Sequence, residues 1–90
     1  MAPKVEIKQL TKEELESKGV FSWPIWEKEP SEFDWYYSTT EHCYILEGEV
    51  IVTTEDGDYH IKEGDYVIFP KGLSCTWKIL RKIKKHYNFE

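Results

Sequence analysis

The sequence predicts an all-β barrel or sandwich carrying one short N-terminal helix. Between residues 41 and 72 the chain runs in short β-branched and aromatic segments, which suit a pleated, half-buried surface. Turn signals at Glu47-Gly48, Asp56-Gly57 and Glu63-Gly64 break that run at short, regular intervals. Aromatic residues make up 16% of the chain, and large rings let a short chain fill a core.

The helix is expected over residues 11–19, TKEELESKG. Thr11 and Glu14 have the spacing of a capping box, in which each side chain satisfies a backbone donor of the other. Gly19 offers a left-handed stop, and Leu15 is the single apolar anchor, so the helix is a surface feature. Trp23-Pro24 restricts the next segment to a bend or a sheet edge. EFDWYYST reads as an extended aromatic strand. Asp56-Gly57 predicts a hairpin whose two turn positions both need positive φ. In GDYVIFPKGLSCTW, Gly64, Pro70 and Gly72 mark a strand–turn–strand unit leading into Cys75 and Trp77. The tail TWKILRKIKKHYNFE fits either a helix or two short strands joined near Arg81 to Ile83.

Ninety residues suit one domain, 1–90, with the barrel over about residues 20–90. A formal net charge of -5 argues against nucleic acid and anionic membrane as partners, and the basic run near the end reads as a solvated edge. No window has the length of apolar sequence that spans a bilayer, and the N-terminus lacks a signal-peptide core. The expected setting is cytoplasmic, with Cys43 and Cys75 as free thiols. An edge strand at Trp23-Pro24 could pair with a neighbour's sheet, giving a homodimer.

The spacing of Gly64, Pro70, Gly72 and Cys75 resembles the second motif of the cupin superfamily, and EHCYILEG over 41–48 resembles the end of the first. WPIW, EFDWYY, PKGLSCTW and the ending KHYNF resemble small single-domain cupins grouped with ureidoglycine aminohydrolase. The resemblance spans Trp23 to the C-terminus and implies an RmlC-like jelly-roll β-barrel. It also implies the subclass activity, a manganese-dependent hydrolase that releases ammonia from a ureide and is built from two cupin domains.

Metal-bearing cupins hold manganese, iron, nickel or zinc with three histidines and a glutamate. On this chain the glutamate position falls on Glu41, and the last histidine position on Cys75. The other two fall on Trp35 and Tyr37, or on Asp34 and Tyr36 if the spacing is one longer. Indole cannot ligate, and a phenolate forms with difficulty at neutral pH. No metal is therefore expected at the usual site. A replacement site would be Glu41, Cys43, Cys75 and His86, a mixed sulfur–nitrogen set suited to zinc. The plainer reading of the cysteines is a buried, reduced pair filling the barrel. Cys75 as a nucleophile with His86 as base is a third reading. His42 and His60 read as surface residues.

Strand alternation places Cys43 and Ile45 on the face of Glu41, with His42, Tyr44 and Leu46 opposite. Trp35, Tyr37, Glu41 and Trp77, with Cys43, Cys75 and His86 nearby, then outline a pocket with flat apolar walls and one carboxylate. Such a pocket suits a small cyclic or cationic molecule, or else the rings are simply core. An inward Glu41 needs a partner, drawn from Arg81, Lys85, the Tyr37 phenol or a ligand. Three functions remain open: a small-molecule binder, a hydrolase related to ureidoglycine aminohydrolase, and a non-catalytic interaction barrel.

Overall fold

Two long strands organise the molecule, whose computed structural model describes residues 4–90. The elements are β1 (Glu6–Lys8), α1 (Lys12–Ser17), a 3-10 turn (Val20–Ser22), β2 (Ile25–Lys28), β3 (Glu32–Tyr36), β4 (Glu41–Thr54), β5 (Gly57–Lys62), β6 (Tyr66–Phe69) and β7 (Ser74–Phe89). β4 and β7 pair antiparallel along nearly their whole length, from Glu41↔Phe89 to Thr53↔Thr76. Each takes different partners on its two halves. The first half of β4 pairs β6, and the second half pairs β5. The first half of β7 pairs β3, and the second half pairs β2. One layer therefore runs β1-β6-β4-β7-β2 and the other β5-β4-β7-β3. The expected all-β class with a short helix is the observed one.

The layers join where β4 and β7 slip in register. From Ile45↔Lys85 to Val50↔Ile79, β4 advances five residues while β7 advances six. An unequal count of this kind is a β-bulge, and it bends the strands sharply. Gly48 sits at its centre with φ 101°, and a Cβ there would stand 2.2 Å from the Lys82 carbonyl oxygen. Glu47-Gly48 is thus a bulge inside a continuous strand, where a turn was expected. The tail is likewise neither a helix nor two strands but one sixteen-residue strand, β7. Its basic residues at 81, 82 and 84 lie on or beside the bend.

The bulge also switches which residues of β4 face inward. Glu41, Cys43 and Ile45 are buried before it, and Val50 and Val52 after it. With Ile61, Val67, Phe69, Trp77, Ile79 and Ile83 they form the core between the layers. A second cluster forms on the outer face of the first layer. There Leu15 of α1 and Val20 pack on Tyr66. The Thr11–Glu14 capping box is present, and Gly19 at φ 74° ends the helical turn as expected.

The β4–β5 hairpin forms, but not by the expected turn. Glu55 and Asp56 occupy its tip, neither with positive φ, and Gly57 alone in the turn adopts φ 125°. At the other loop, Gly72 (φ 89°) donates its N–H to the Tyr37 carbonyl at 2.7 Å, and Tyr37 donates to the Leu73 carbonyl at 2.9 Å. That exchange ties the Pro70–Gly72 turn to the end of β3 and fixes Tyr37 beside the core.

A candidate ligand cavity

Odd-numbered positions on β3, on the first half of β4 and on β7 face the space between the layers. They enclose a cavity of about 240 Å³. Phe33, Trp35 and Tyr37 form the wall from β3 and its continuation, and Trp26 contributes from β2. Trp77 lies between them, stacked on Phe33 at 6.1 Å and edge-on to Trp26 at 6.1 Å. Tyr87 and Phe89, at the end of β7, complete the aromatic lining. The floor is polar. Glu41 and Lys85 are 3% and 5% exposed, and Lys85 Nζ donates to Glu41 Oε2 at 3.0 Å.

This pair answers where the inward carboxylate finds its partner. Arg81 instead bonds Glu49 on the surface, alongside His60. Lys85 is held twice over, since its ammonium also lies over the Trp77 ring at 4.7 Å and the Trp26 ring at 5.1 Å. A desolvated cation gains from such faces, and the carboxylate supplies the neutralising charge. Sequence reasoning offered Lys85 only as one of several partners for Glu41. Its odd position, six residues beyond Ile79 and eight beyond Trp77, was the available signal for its face.

The predicted site residues divide into three groups. Tyr37, Glu41 and Trp77 are buried and line the cavity. Trp35 lines it too, but it is 50% exposed and forms the mouth, whereas Asp34 bonds the Thr76 hydroxyl outside and Tyr36 faces solvent. Cys43 lies fully buried in the core beneath the floor, and Cys75 lines a shallow polar depression outside the cavity. Both thiols are free. Burial pushes Cys43 up to about 12 and Cys75 up to about 11, so both are protonated thiols at neutral pH. Burial also raises the Tyr37 phenol, with the nearby Glu41 charge adding to the shift.

His86 is a correction. It is on the opposite face of β7 from Lys85, donating from Nδ1 to the Trp23 carbonyl at 2.9 Å and packing edge-on against Phe21. It joins neither the cavity nor the two cysteines. Cys75 donates instead to the Trp35 carbonyl at 3.7 Å, so the nucleophile–base pair of Cys75 and His86 is not assembled. His42 lies on the outer side, between the Tyr66 hydroxyl and the Glu90 carboxylate.

Nor do the residues fit a divalent ion. Among the described residues no three His, Cys, Asp or Glu side chains converge to hold one. The single carboxylate of the cavity already faces an ammonium at 3.0 Å, and a metal would have to displace that cation. The expected replacement set of Glu41, Cys43, Cys75 and His86 is therefore not gathered. The Trp77 indole N–H is buried without a hydrogen-bond partner among the described residues, although it lies close enough to oppose the rise of the Cys75 thiol.

The two-layer sheet has counterparts among known proteins. The profile of the EutQ-like cupin domain matches residues 15–87. A DUF861 family protein from Thermotoga maritima is 60% identical, superposes with a TM-score of 0.94, and is covered over 97% of this chain and 100% of its own. A protein of the same family from Pseudomonas syringae is 25% identical with a TM-score of 0.67; the match covers 73% of this chain but 29% of that one. A putative ethanolamine utilization protein Q from Salmonella typhimurium, at 23% identity over 94% of this chain and 68% of its own, shares the fold with a TM-score of 0.66. No curated protein matches. Profile and sequence identity agree with the two-layer β architecture, and the chain belongs to the EutQ-like cupin domain family.

Proposed function

We propose that the protein binds a small uncharged molecule in the cavity above the Glu41–Lys85 pair. The observation that carries this reading is the pair itself, a carboxylate and an ammonium at the base of an otherwise aromatic hollow. A buried ion pair contributes little to stability, and apolar residues of the same volume often serve as well or better. Convergent polar groups in an apolar cleft are what a ligand uses for orientation. A cationic ligand, one of the two classes expected from the rings and Glu41, fits less well. Lys85 already occupies the indole faces and the carboxylate that would attract it.

A relationship to ureidoglycine aminohydrolase is proposed at the level of the cupin subclass alone. Among the described residues no donor set matches its metal-dependent hydrolysis, and by the motif resemblance Trp35 and Tyr37, or Asp34 and Tyr36, together with Cys75 take the histidine positions. A thermal-shift screen of neutral single-ring compounds tests the binding reading. At least one should raise the melting temperature of the wild-type protein, and the rise should be smaller in Glu41→Gln. Uniform silence across the screen would favour the non-catalytic interaction barrel.

A further inference from the structure

We infer that the ligand of this cavity is a neutral single ring bearing a hydroxyl group, the class whose simplest member is phenol. The inference rests on the cavity being a binding site and specifies what it selects. Charge is the first constraint. The floor holds one positive and one negative group 3.0 Å apart, already balanced. A second cation would have to share Glu41 with Lys85, and an anion would sit against Glu41. Either leaves an uncompensated charge in a site where desolvation is costly.

Hydrogen bonding is the second constraint. Glu41 Oε2 accepts from Lys85, while its other oxygen accepts no hydrogen bond among the described residues. An ammonium has three N–H groups, and among the described residues Lys85 donates only to Glu41. The floor therefore offers an acceptor and a donor side by side. One hydroxyl oxygen answers both: its O–H donates to the free Glu41 oxygen, and its lone pair accepts from Lys85. A methyl group answers neither.

Shape is the third. An apolar cavity of about 150 Å³ holds benzene, so about 240 Å³ accommodates one ring with a small substituent. Phe33, Trp35, Tyr37, Tyr87 and Phe89, which line the cavity beside the Lys85-covered indoles, offer a planar ring an aromatic surface.

Titration of the wild-type protein with phenol, toluene, benzoate and benzylammonium, followed by calorimetry or ligand-observed NMR, tests the inference. Phenol should bind at least tenfold more tightly than each of the other three. In the Glu41→Leu/Lys85→Met double variant, whose floor stays filled but apolar, phenol and toluene should bind alike. Glu41→Gln, which retains a near-identical shape, should narrow the phenol preference severalfold. Toluene or a charged ring binding the wild type as tightly as phenol would overturn the hydroxyl inference and leave the cavity reading standing. A phenol preference that survives in the double variant would overturn it too. If no ring compound binds at millimolar concentration, the cavity reading falls with it.

Discussion

Removing one partner of the Glu41–Lys85 pair should do far more damage than removing both. Lys85→Met leaves the Glu41 carboxylate 3% exposed with no cation, and breaking a buried pair in this way costs about 3–5 kcal/mol. A chain of this length has a total stability of roughly 5–13 kcal/mol, so the single variant stands near the edge of folding. Adding Glu41→Leu removes the stranded charge. The double variant should then return to within about 1 kcal/mol of wild type or exceed it by about 1–4 kcal/mol, as apolar replacements of buried pairs do. The gap between single and double variants is the quantity of interest, because loss of the lysine's packing on Trp26 and Trp77 is common to both. Urea unfolding read by tryptophan fluorescence and by circular dichroism would measure it, with unchanged slopes required for comparison. A single variant within about 1 kcal/mol of wild type, well short of the buried-pair cost, would show that water reaches the pair. A double variant as unstable as the single would show that packing, not charge, sets the cost.

Two further outcomes follow from the backbone and the thiols. Gly48→Ala forces a Cβ to within 2.2 Å of the Lys82 carbonyl at φ 101°, whereas Gly64→Ala at φ 91° meets nothing within 4 Å. Backbone strain alone costs about 1–3 kcal/mol, so Gly64→Ala should lower the urea midpoint modestly and Gly48→Ala should lower it much further or prevent folding. Equal effects would refute the close crossing of β4 and β7. Cys43 and Cys75 are raised in the folded protein to about 12 and about 11 from an ordinary 9.0. Above pH 9 the unfolded chain gives up thiol protons that the folded chain keeps, so stability should fall from pH 9 upward through the folded values. Unfolding midpoints at pH 8 and pH 10.5 check the sign, and a Cys43→Ala/Cys75→Ala variant should show a shallower decline. An alkaline decline equally steep without the cysteines would assign it elsewhere, with the buried Tyr37 phenol the first candidate.

Much of this architecture is legible in the sequence because it depends on local chemistry. Thr11 and Glu14 cap a helix through contacts three residues apart, and Gly64 on one side of β6 and Pro70 with Gly72 on the other shape its two flanking turns through their own backbone preferences. Alternation on β4 places Glu41, Cys43 and Ile45 together up to the first irregularity. Where the chain's neighbours decide, local signals mislead. Glu47-Gly48 looks like a turn, yet the glycine is required because Lys82, 34 positions away, passes against it. The basic tail looks like a helix or a broken strand, yet pairing with β2, β3 and β4 draws it into one continuous β7.

The candidate site divides along the same line. Composition and periodicity determine that the chain is all-β, rich in rings, and carries an inward carboxylate; only the motif resemblance sets that carboxylate at a cupin ligand position. Tertiary structure decides what that carboxylate meets. The bend that returns β7 along β4 carries Lys85 to within 3.0 Å of Glu41 and turns His86 to the other face. Forty-four residues separate Glu41 from Lys85. Only the pairing register, set by an unequal bulge, determines that they share a floor. One residue of slip would exchange Lys85 for His86 there, since adjacent strand positions point to opposite faces.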